Sequence, residues 1–181
     1  MLFRSSPENG TAGGWTSLFK LTQANAAADH GTLTLFFHSK SQTVAGLDNI
    51  QFLSRDTLLV VEDAGDTLHS QRNALDSGFA FDVNHDYSDG ALPIRFLAEG
   101  RDPSATLDSA NGGFGKNEGD NEITGIHVSD GDPTIHGILG AKTPRFGKDG
   151  WRWFWTQQHG DNFTWEVTPV RKDDDDNNDQ R

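Results

Sequence analysis

The sequence predicts an all-β protein, specifically a partial β-propeller of about two to three four-stranded antiparallel blades. Turn-forming residues interrupt the chain at short intervals, among them 20 glycines and 6 prolines in 181 residues. The segments between these residues are short and rich in β-branched and aromatic side chains, which favour strands. Two segments also share one order of features: a carboxylate at the start of a strand, then a second strand with an acidic or polar end.

Nine segments have the composition of strands. They are Trp15–Leu21, Thr32–His38, Asn49–Leu53, Thr57–Glu62, Gly78–Val83, Ile94–Ala98, Ile123–Ser129, Trp151–Gln157 and Thr164–Thr168. Helix signals are scarce by comparison. The stretch from Leu21 to Asp29 has four alanines but no sustained apolar stripe, so it is either a short helix or a loop.

The middle of the chain has the pattern of one complete blade. Phe79 and Phe81 alternate with Ala80 and Asp82, which gives a strand one apolar face. We therefore predict a four-stranded antiparallel meander from 48 to 100, the usual build of a propeller blade. The strands after 122 begin a second blade, and those before 46 form the outer part of a preceding blade.

The predicted blades define the domain organisation. Residues 1–170 form the partial propeller, and residues 171–181 form an acidic tail without periodicity that we expect to be disordered. Two blades and a fraction do not close a ring, and each blade needs neighbours to bury its faces. We therefore expect the chain to be a fragment, or to need further blades or a partner chain.

Composition excludes several classes of function. The formal net charge is −12, with 27 acidic against 15 basic residues, and phosphate backbones need a basic patch, so we expect no nucleic-acid partner. Because there is no cysteine, disulfides, thiolate metal sites and cysteine nucleophiles are excluded. No apolar run approaches the roughly 20 residues of a membrane span. There is also no Gly-x-Ser-x-Gly elbow, phosphate-binding P-loop or zinc-type histidine pair.

Asp48 and Glu122 are the candidate metal ligands, because they hold equivalent places in the two segments with a shared order of features, 47–63 and 121–161. The first strands of propeller blades line the central channel, where these side chains would converge. Carboxylates that converge repel each other unless a cation such as calcium neutralises them. The alternative is that Asp48 lies in a turn and Glu122 on a solvated edge.

Other polar groups lie at strand ends. Glu62 closes a strand, where it could bind a cation, cap the turn or simply be solvated. His159 and Asp161 follow an aromatic strand, and the histidine could be a ligand, a phosphate donor or a general acid. Arg101 could bind a phosphate or carboxylate through two N–H groups, or form a salt bridge between blades.

The segment from Asp82 to Gly90 partly matches a calcium-binding loop. Oxygen-bearing side chains occupy its first, third, fifth and seventh positions, but Tyr87 replaces the usual glycine and Pro93 the usual glutamate. A hairpin loop is therefore the preferred interpretation, and incidental calcium affinity is the alternative.

Five short motifs, in this order, resemble those of the PhoX-type alkaline phosphatases and their DUF839 relatives. They are Gly46–Ile50, Val61–Asp63, Ala98–Thr106, Glu122–Gly125 and Thr156–Asn162. The resemblance covers residues 32–167 and corresponds to the C-terminal part of those enzymes. It implies a six-bladed propeller, a central cluster of calcium and iron, and phosphomonoester hydrolysis outside the cytoplasm.

The resemblance also implies roles for individual residues. Asp48 and Glu122 are the implied metal ligands, and His159 and Asp161 are implied neighbours of that site. Together with the other polar groups, the predicted metal ligands are Asp48, Glu62, Glu122 and Asp161, and the predicted substrate contacts are Asn49, Arg101 and His159. The family's iron is associated with a cysteine, which this chain lacks, so calcium is the expected metal. Two alternatives remain open: a non-catalytic propeller segment that binds calcium or a partner protein, and a calcium-dependent lactonase-type propeller.

Overall fold

The computed structural model describes residues 15–25, 27–64, 68–69, 72, 74–99, 122–138, 142–158 and 163–168. In these residues three antiparallel sheets of two, four and three strands follow one another along the chain, which confirms the all-β fold class. The elements are β1 (Thr16–Thr22), β2 (Thr32–Ser39), β3 (Leu47–Phe52), β4 (Thr57–Glu62), β5 (Ser77–Asp82), β6 (Ile94–Ala98), β7 (Glu122–Ser129), α1 (Ile135–Ile138), β8 (Arg152–Gln158) and β9 (Thr164–Val167).

Each predicted strand is present, with small differences at the ends. The largest difference is at the start of β3, which begins at Leu47 instead of Asn49. The described residues between β1 and β2 form turns and bends, so the loop interpretation of that stretch is confirmed. Asn25 organises this loop, because its side-chain oxygen accepts a hydrogen bond from the Ala27 amide at 3.0 Å. The predicted tail at 171–181 lies outside the described residues.

The second sheet is the predicted meander, in which β3, β4, β5 and β6 pair in chain order. Leu58 pairs with Phe81 and Val60 with Phe79 across the β4–β5 ladder. Since side chains alternate between the two faces of a strand, these four residues share one face of the sheet. Leu59, which lies between Leu58 and Val60 in β4, pairs with Ala80 on the opposite face.

The first sheet packs on the Phe79 and Phe81 face of the second sheet. Its buried contributors to this core include Leu18, Phe36 and Phe37. The Phe81 ring lies 5.2 Å from that of Phe37, nearly edge-on, and 5.3 Å from that of Tyr87. Such pairs contribute about 0.5–1.5 kcal/mol each beyond the area that they bury. The aromatic cluster therefore fixes the first sheet against the second.

The third sheet packs on the opposite face of the second sheet. Leu59 of β4 shares this smaller core with Val128 of β7 and Trp153 of β8. The Trp153 ring also meets the Phe96 ring edge-on at 4.6 Å. The second sheet is thus covered on both sides, which explains why consecutive β4 residues, Leu58 to Val61, are all buried.

A β-bulge gives the first sheet a second apolar face. The register shifts between Leu18 and Phe19, so Leu18 pairs with Phe37 whereas Phe19 pairs with Leu35. Phe19 and Leu35 consequently lie on the face that points away from the second sheet. Leu33 and Leu35 are 62% and 58% exposed there. The outer face of the first sheet is therefore apolar and open to solvent.

The β5–β6 connection is a series of turns, as the hairpin interpretation predicts. Asp82, Asp86 and Asp89 each accept a hydrogen bond from the amide two residues further on, at 2.8–2.9 Å. These are Asx turns, which account for the recurrence of aspartates in this connection. No helix among the described residues is long and apolar enough to cross a membrane.

Candidate functional site

Asp48 and Asn49 lie at the start of β3. The Asp48 side chain is exposed, and its Oδ2 accepts a hydrogen bond from the side-chain Nδ2 of Asn49 at 3.1 Å. Gly46, just before the strand, has a φ of +59°, and a Cβ there would lie 3.0 Å from that of Ala64. Glycine is favoured at such a position, because L side chains rarely adopt this conformation. The tight approach to Ala64 sets where β3 begins and where Asp48 is presented.

Glu122 is the first residue of β7 and pairs with Gln158 at the end of β8. β7 contacts both β3 and β4. The first strands of the second and third sheets are therefore neighbours, and each carries one of the two predicted metal ligands at its start. Three other predicted site residues lie outside the described part of the chain: Arg101, His159 and Asp161.

Glu62, at the end of β4, is not in a solvated turn, and that alternative is wrong. Its side chain is fully buried. The carboxylate accepts hydrogen bonds from the Ala45 amide at 2.8 Å and the Ser77 amide at 2.9 Å. It also accepts one from Nη1 of Arg72 at 2.9 Å. Glu62 thus belongs to a buried polar cluster at the end of the second sheet.

We call this cluster the ionic centre and define it as Glu62, His69, Arg72 and Asp76. Asp76 is also fully buried, and its Oδ1 accepts hydrogen bonds from Nε2 of His69 at 2.8 Å and Nη2 of Arg72 at 3.3 Å. The same oxygen accepts one from the Ala64 amide at 3.1 Å. A buried charge is tolerated only with such partners, since desolvation alone costs several kcal/mol.

Arg72 joins the two carboxylates. One guanidinium nitrogen binds Glu62 and another binds Asp76, with the side chain only 7% exposed. The guanidinium also donates to the backbone oxygens of Ala74 at 3.2 Å and Leu75 at 2.9 Å. The planar, five-donor guanidinium suits this arrangement, whereas the single ammonium of a lysine does not.

The ionic centre also links separate parts of the fold. Oδ2 of Asp76 accepts a hydrogen bond from the Ile123 amide in β7 at 3.2 Å. Asp76 lies just before β5 and Glu62 ends β4, so one polar cluster holds strands of the second and third sheets together. Ala45, which donates to Glu62, lies in the connection that leads from the first sheet to β3.

Burial raises the pKa of Glu62 to about 7. Removal from water is the largest cause, because it penalises the charged form. The positive charge of Arg72, its hydrogen bond and that of the Ala45 amide lower the pKa and offset part of this shift, while the charge of Asp76 raises it slightly. Glu62 therefore changes its protonation in the neutral range, far from the usual carboxylate range.

Sequence reasoning did not nominate His69, Arg72 or Asp76. A weak signal was present. His69 and Arg72 are three residues apart, in the connection between β4, which ends in an acid, and β5, which directly follows an acid. His69 and Arg72 are helical in the structure, and residues at this spacing share one face of a helix. That shared face turns both side chains towards the two carboxylates.

A second group of charges lies between β7 and β8, outside the ionic centre. Lys142 Nζ donates to Oδ2 of Asp130 and Oδ2 of Asp132, each at 2.7 Å. The hydrogen bond from Lys142 is the largest cause of the lowered pKa of both carboxyls. The hydrogen bonds to these two carboxylates, and then their negative charges, raise the pKa of Lys142 itself.

Replacing Lys142 with methionine is expected to raise the pKa of Asp130 and Asp132 towards ordinary values, because the nearby positive charge is lost. NMR titration of the side-chain carboxyl carbons measures both groups directly. Asp86 is the internal control, since the Ser88 amide, not a lysine, lowers its pKa. A lack of change at both aspartates, or an equal change at Asp86, would contradict the assignment.

Among the described residues, no group of three or more His, Asp or Glu side chains has the arrangement of a metal site. No protein-family model, curated protein or solved structure matches the sequence.

Proposed function

We propose that the three sheets are neighbouring blades of a β-propeller, and that the chain is part of a metal-dependent phosphoric monoester hydrolase of the PhoX type acting outside the cytoplasm. One observation carries the proposal: β3 and β7 are in contact, and each is the first strand of its sheet. Asp48 and Glu122 begin these two strands. In a propeller, the first strands of successive blades surround the channel in which a ligand is bound.

The packing of the sheets supports the propeller part of the proposal. The four-stranded sheet is covered by a different sheet on each face, as a blade is covered by its two neighbours. The exposed Leu33 and Leu35 give the first sheet an apolar outer face, which suits contact with one more blade. A large apolar face of this kind is uncommon on a free surface.

The carboxylate residues at the starts of β3 and β7 suit calcium better than iron. Carboxylate oxygens are hard ligands that calcium prefers, and the chain lacks the cysteine associated with the family's iron. Bound calcium would neutralise the phosphoryl oxygens and stabilise the leaving oxygen. Asp48 is exposed at the start of β3, and its only hydrogen-bond donor among the described residues is Asn49. Asn49 would orient the Asp48 carboxylate towards the cation.

Glu62 has a supporting role in this proposal. Its two oxygens already accept three hydrogen bonds, from Ala45, Ser77 and Arg72. These bonds fix the connection before β3 and the end of β4, and thereby the position of Asp48. Binding a cation through Glu62 would require breaking bonds that are buried.

Replacing Asp48 and Glu122 together with alanine is expected to abolish calcium binding, because the two carboxylates supply the charge of the site. Calcium per chain is measured by mass spectrometry after equilibrium dialysis, and hydrolysis of p-nitrophenyl phosphate is followed in parallel. Asp82→Ala is the matched control, since Asp82 ends β5 and its carboxylate accepts a hydrogen bond from the Asn84 amide in the following turn, so the bound calcium should be unchanged.

The outcomes separate the proposed function from its two alternatives. Calcium-dependent phosphatase activity that is lost in the double variant supports the proposal. Calcium binding without turnover indicates a non-catalytic segment, and lactone hydrolysis without phosphatase activity indicates a lactonase-type propeller. Unchanged calcium content in the double variant would show that these two carboxylates do not form the site.

A further inference from the structure

A cavity of about 420 Å³ opens between the β2–β3 connection and the exposed side of the ionic centre. Its volume is in the range of small-molecule sites. Two apolar residues, Ala74 and Leu75, form part of the wall. The polar residues that line it are Gln42, Thr43, Arg72, Ser77 and Arg95.

The lining has an unusual charge for this protein. The chain carries 27 acidic and 15 basic residues, yet the described residues of the cavity wall include two arginines and no acid. Glu62 and Asp76, the carboxylates nearest to Arg72, are fully buried and do not line the cavity. The wall therefore offers hydrogen-bond donors in a chain whose formal net charge is −12.

Arg72 is held in a fixed orientation at this wall. Its Nε, Nη1 and Nη2 atoms make four hydrogen bonds, to Ala74, Glu62, Leu75 and Asp76. A guanidinium has five N–H groups, so one N–H of Nη1 has no acceptor among the described residues. A donor held in place by its neighbours loses little conformational entropy when it binds a ligand.

Arg95 supplies the second positive charge. It lies on β6, paired with Phe79 of β5, and its side chain is exposed. Within the described residues its guanidinium has neither a hydrogen bond nor an ion pair. The hydroxyl groups of Thr43 and Ser77 are likewise without a partner in this part of the chain. The cavity thus combines two guanidinium groups with two hydroxyl groups, all able to donate.

We propose that this cavity binds a small oxyanion, a carboxylate or a phosphate, between Arg95 and Arg72. Arg95 contributes the charge, and Arg72 contributes one oriented N–H. The hydroxyls of Thr43 and Ser77 complete the donors. Planar guanidinium groups match the geometry of both oxyanions, and charge-assisted hydrogen bonds are about twice as strong as neutral ones. The inference does not rest on the proposed function, because its donors are not the residues of the proposed metal site.

Replacing Arg95 with glutamine tests the site without disturbing the ionic centre, since Arg95 is exposed. Citrate and inorganic phosphate are titrated separately by isothermal calorimetry, with protein dialysed against a chelating resin so that no metal is present. We expect saturable binding of at least one anion to the wild type and a loss of roughly tenfold or more in affinity in Arg95→Gln. Arg95→Lys should retain part of the affinity.

Arg145→Gln is the matched control, because Arg145 is an exposed arginine away from the cavity that pairs with Asp149 at 3.4 Å. It should bind the anions as the wild type does. Equal binding by the wild type and Arg95→Gln, or no binding at millimolar anion, would overturn the proposal. A second titration adds calcium. Binding that is seen only with calcium, and is lost in the Asp48→Ala, Glu122→Ala variant, would also overturn the proposal by assigning the anion to the starts of β3 and β7.

Discussion

Replacing Arg72 with methionine is expected to destabilise the protein by about 3–5 kcal/mol at pH 8. Methionine has a similar length but no charge, so Glu62 and Asp76 would remain buried without the cation that compensates them. The backbone oxygens of Ala74 and Leu75 would also lose a donor. Urea denaturation followed by tryptophan fluorescence measures the change in the free energy of unfolding.

Arg145→Met is the control for this substitution, since Arg145 and its partner Asp149 are 66% and 67% exposed. An exposed ion pair contributes at most about 1 kcal/mol, so the control should unfold almost as the wild type does. The double variant Glu62→Gln, Arg72→Met should be less destabilised than the sum of the single variants, because one buried charge has been removed. An Arg72→Met variant with wild-type stability would show that the ionic centre does not stabilise the fold.

The second large expected effect is a dependence of protein stability on pH. The pKa of Glu62 is about 7 in the folded protein against 4.5 as its ordinary value. A raised pKa means that the folded state binds the proton more tightly than the unfolded state does. The stability contributed by protonated Glu62 is therefore complete below pH 4.5 and is lost as the pH rises through 7. The loss amounts to about 3 kcal/mol, at 1.36 kcal/mol for each unit of pKa difference.

The Glu62→Gln variant isolates this effect, since glutamine resembles the protonated acid and does not titrate. The difference in unfolding free energy between wild type and variant is measured from pH 4.5 to 8.5. We expect the wild type to lose stability relative to the variant as the pH rises. Glu166→Gln, at an exposed carboxyl of β9, should show no such trend. The opposite trend would mean that Arg72 outweighs burial and keeps Glu62 ionised.

The strands could be predicted from the sequence because their signals are local. Phe79, Phe81 and the turn residues around them define a strand without reference to any distant part of the chain. The second sheet is a meander of neighbours in sequence, so its strand order followed from the strand positions. The propeller arrangement is a long-range property, and the described sheets support it only through their packing.

The ionic centre could not be predicted in the same way. Glu62 ends a strand, and an acid in that position is usually solvated. Its burial depends on Arg72, which lies in the connection to the next strand, and on the amides of Ala45 and Ser77. The Ile123 amide that binds Asp76 comes from another sheet. No local pattern in the sequence indicates that these groups meet.

The hydrogen bonds of Asp76 have a consequence for how the protein unfolds. Stacked sheets that touch only their neighbours can open one at a time, with stabilities that add along the stack. Here one carboxylate holds the Ala64 amide after β4 and the Ile123 amide of β7. If the third sheet separated from the second, a charged oxygen of Asp76 would lose its hydrogen-bond donor, the Ile123 amide. The second and third sheets are therefore expected to melt together, as a single cooperative unit.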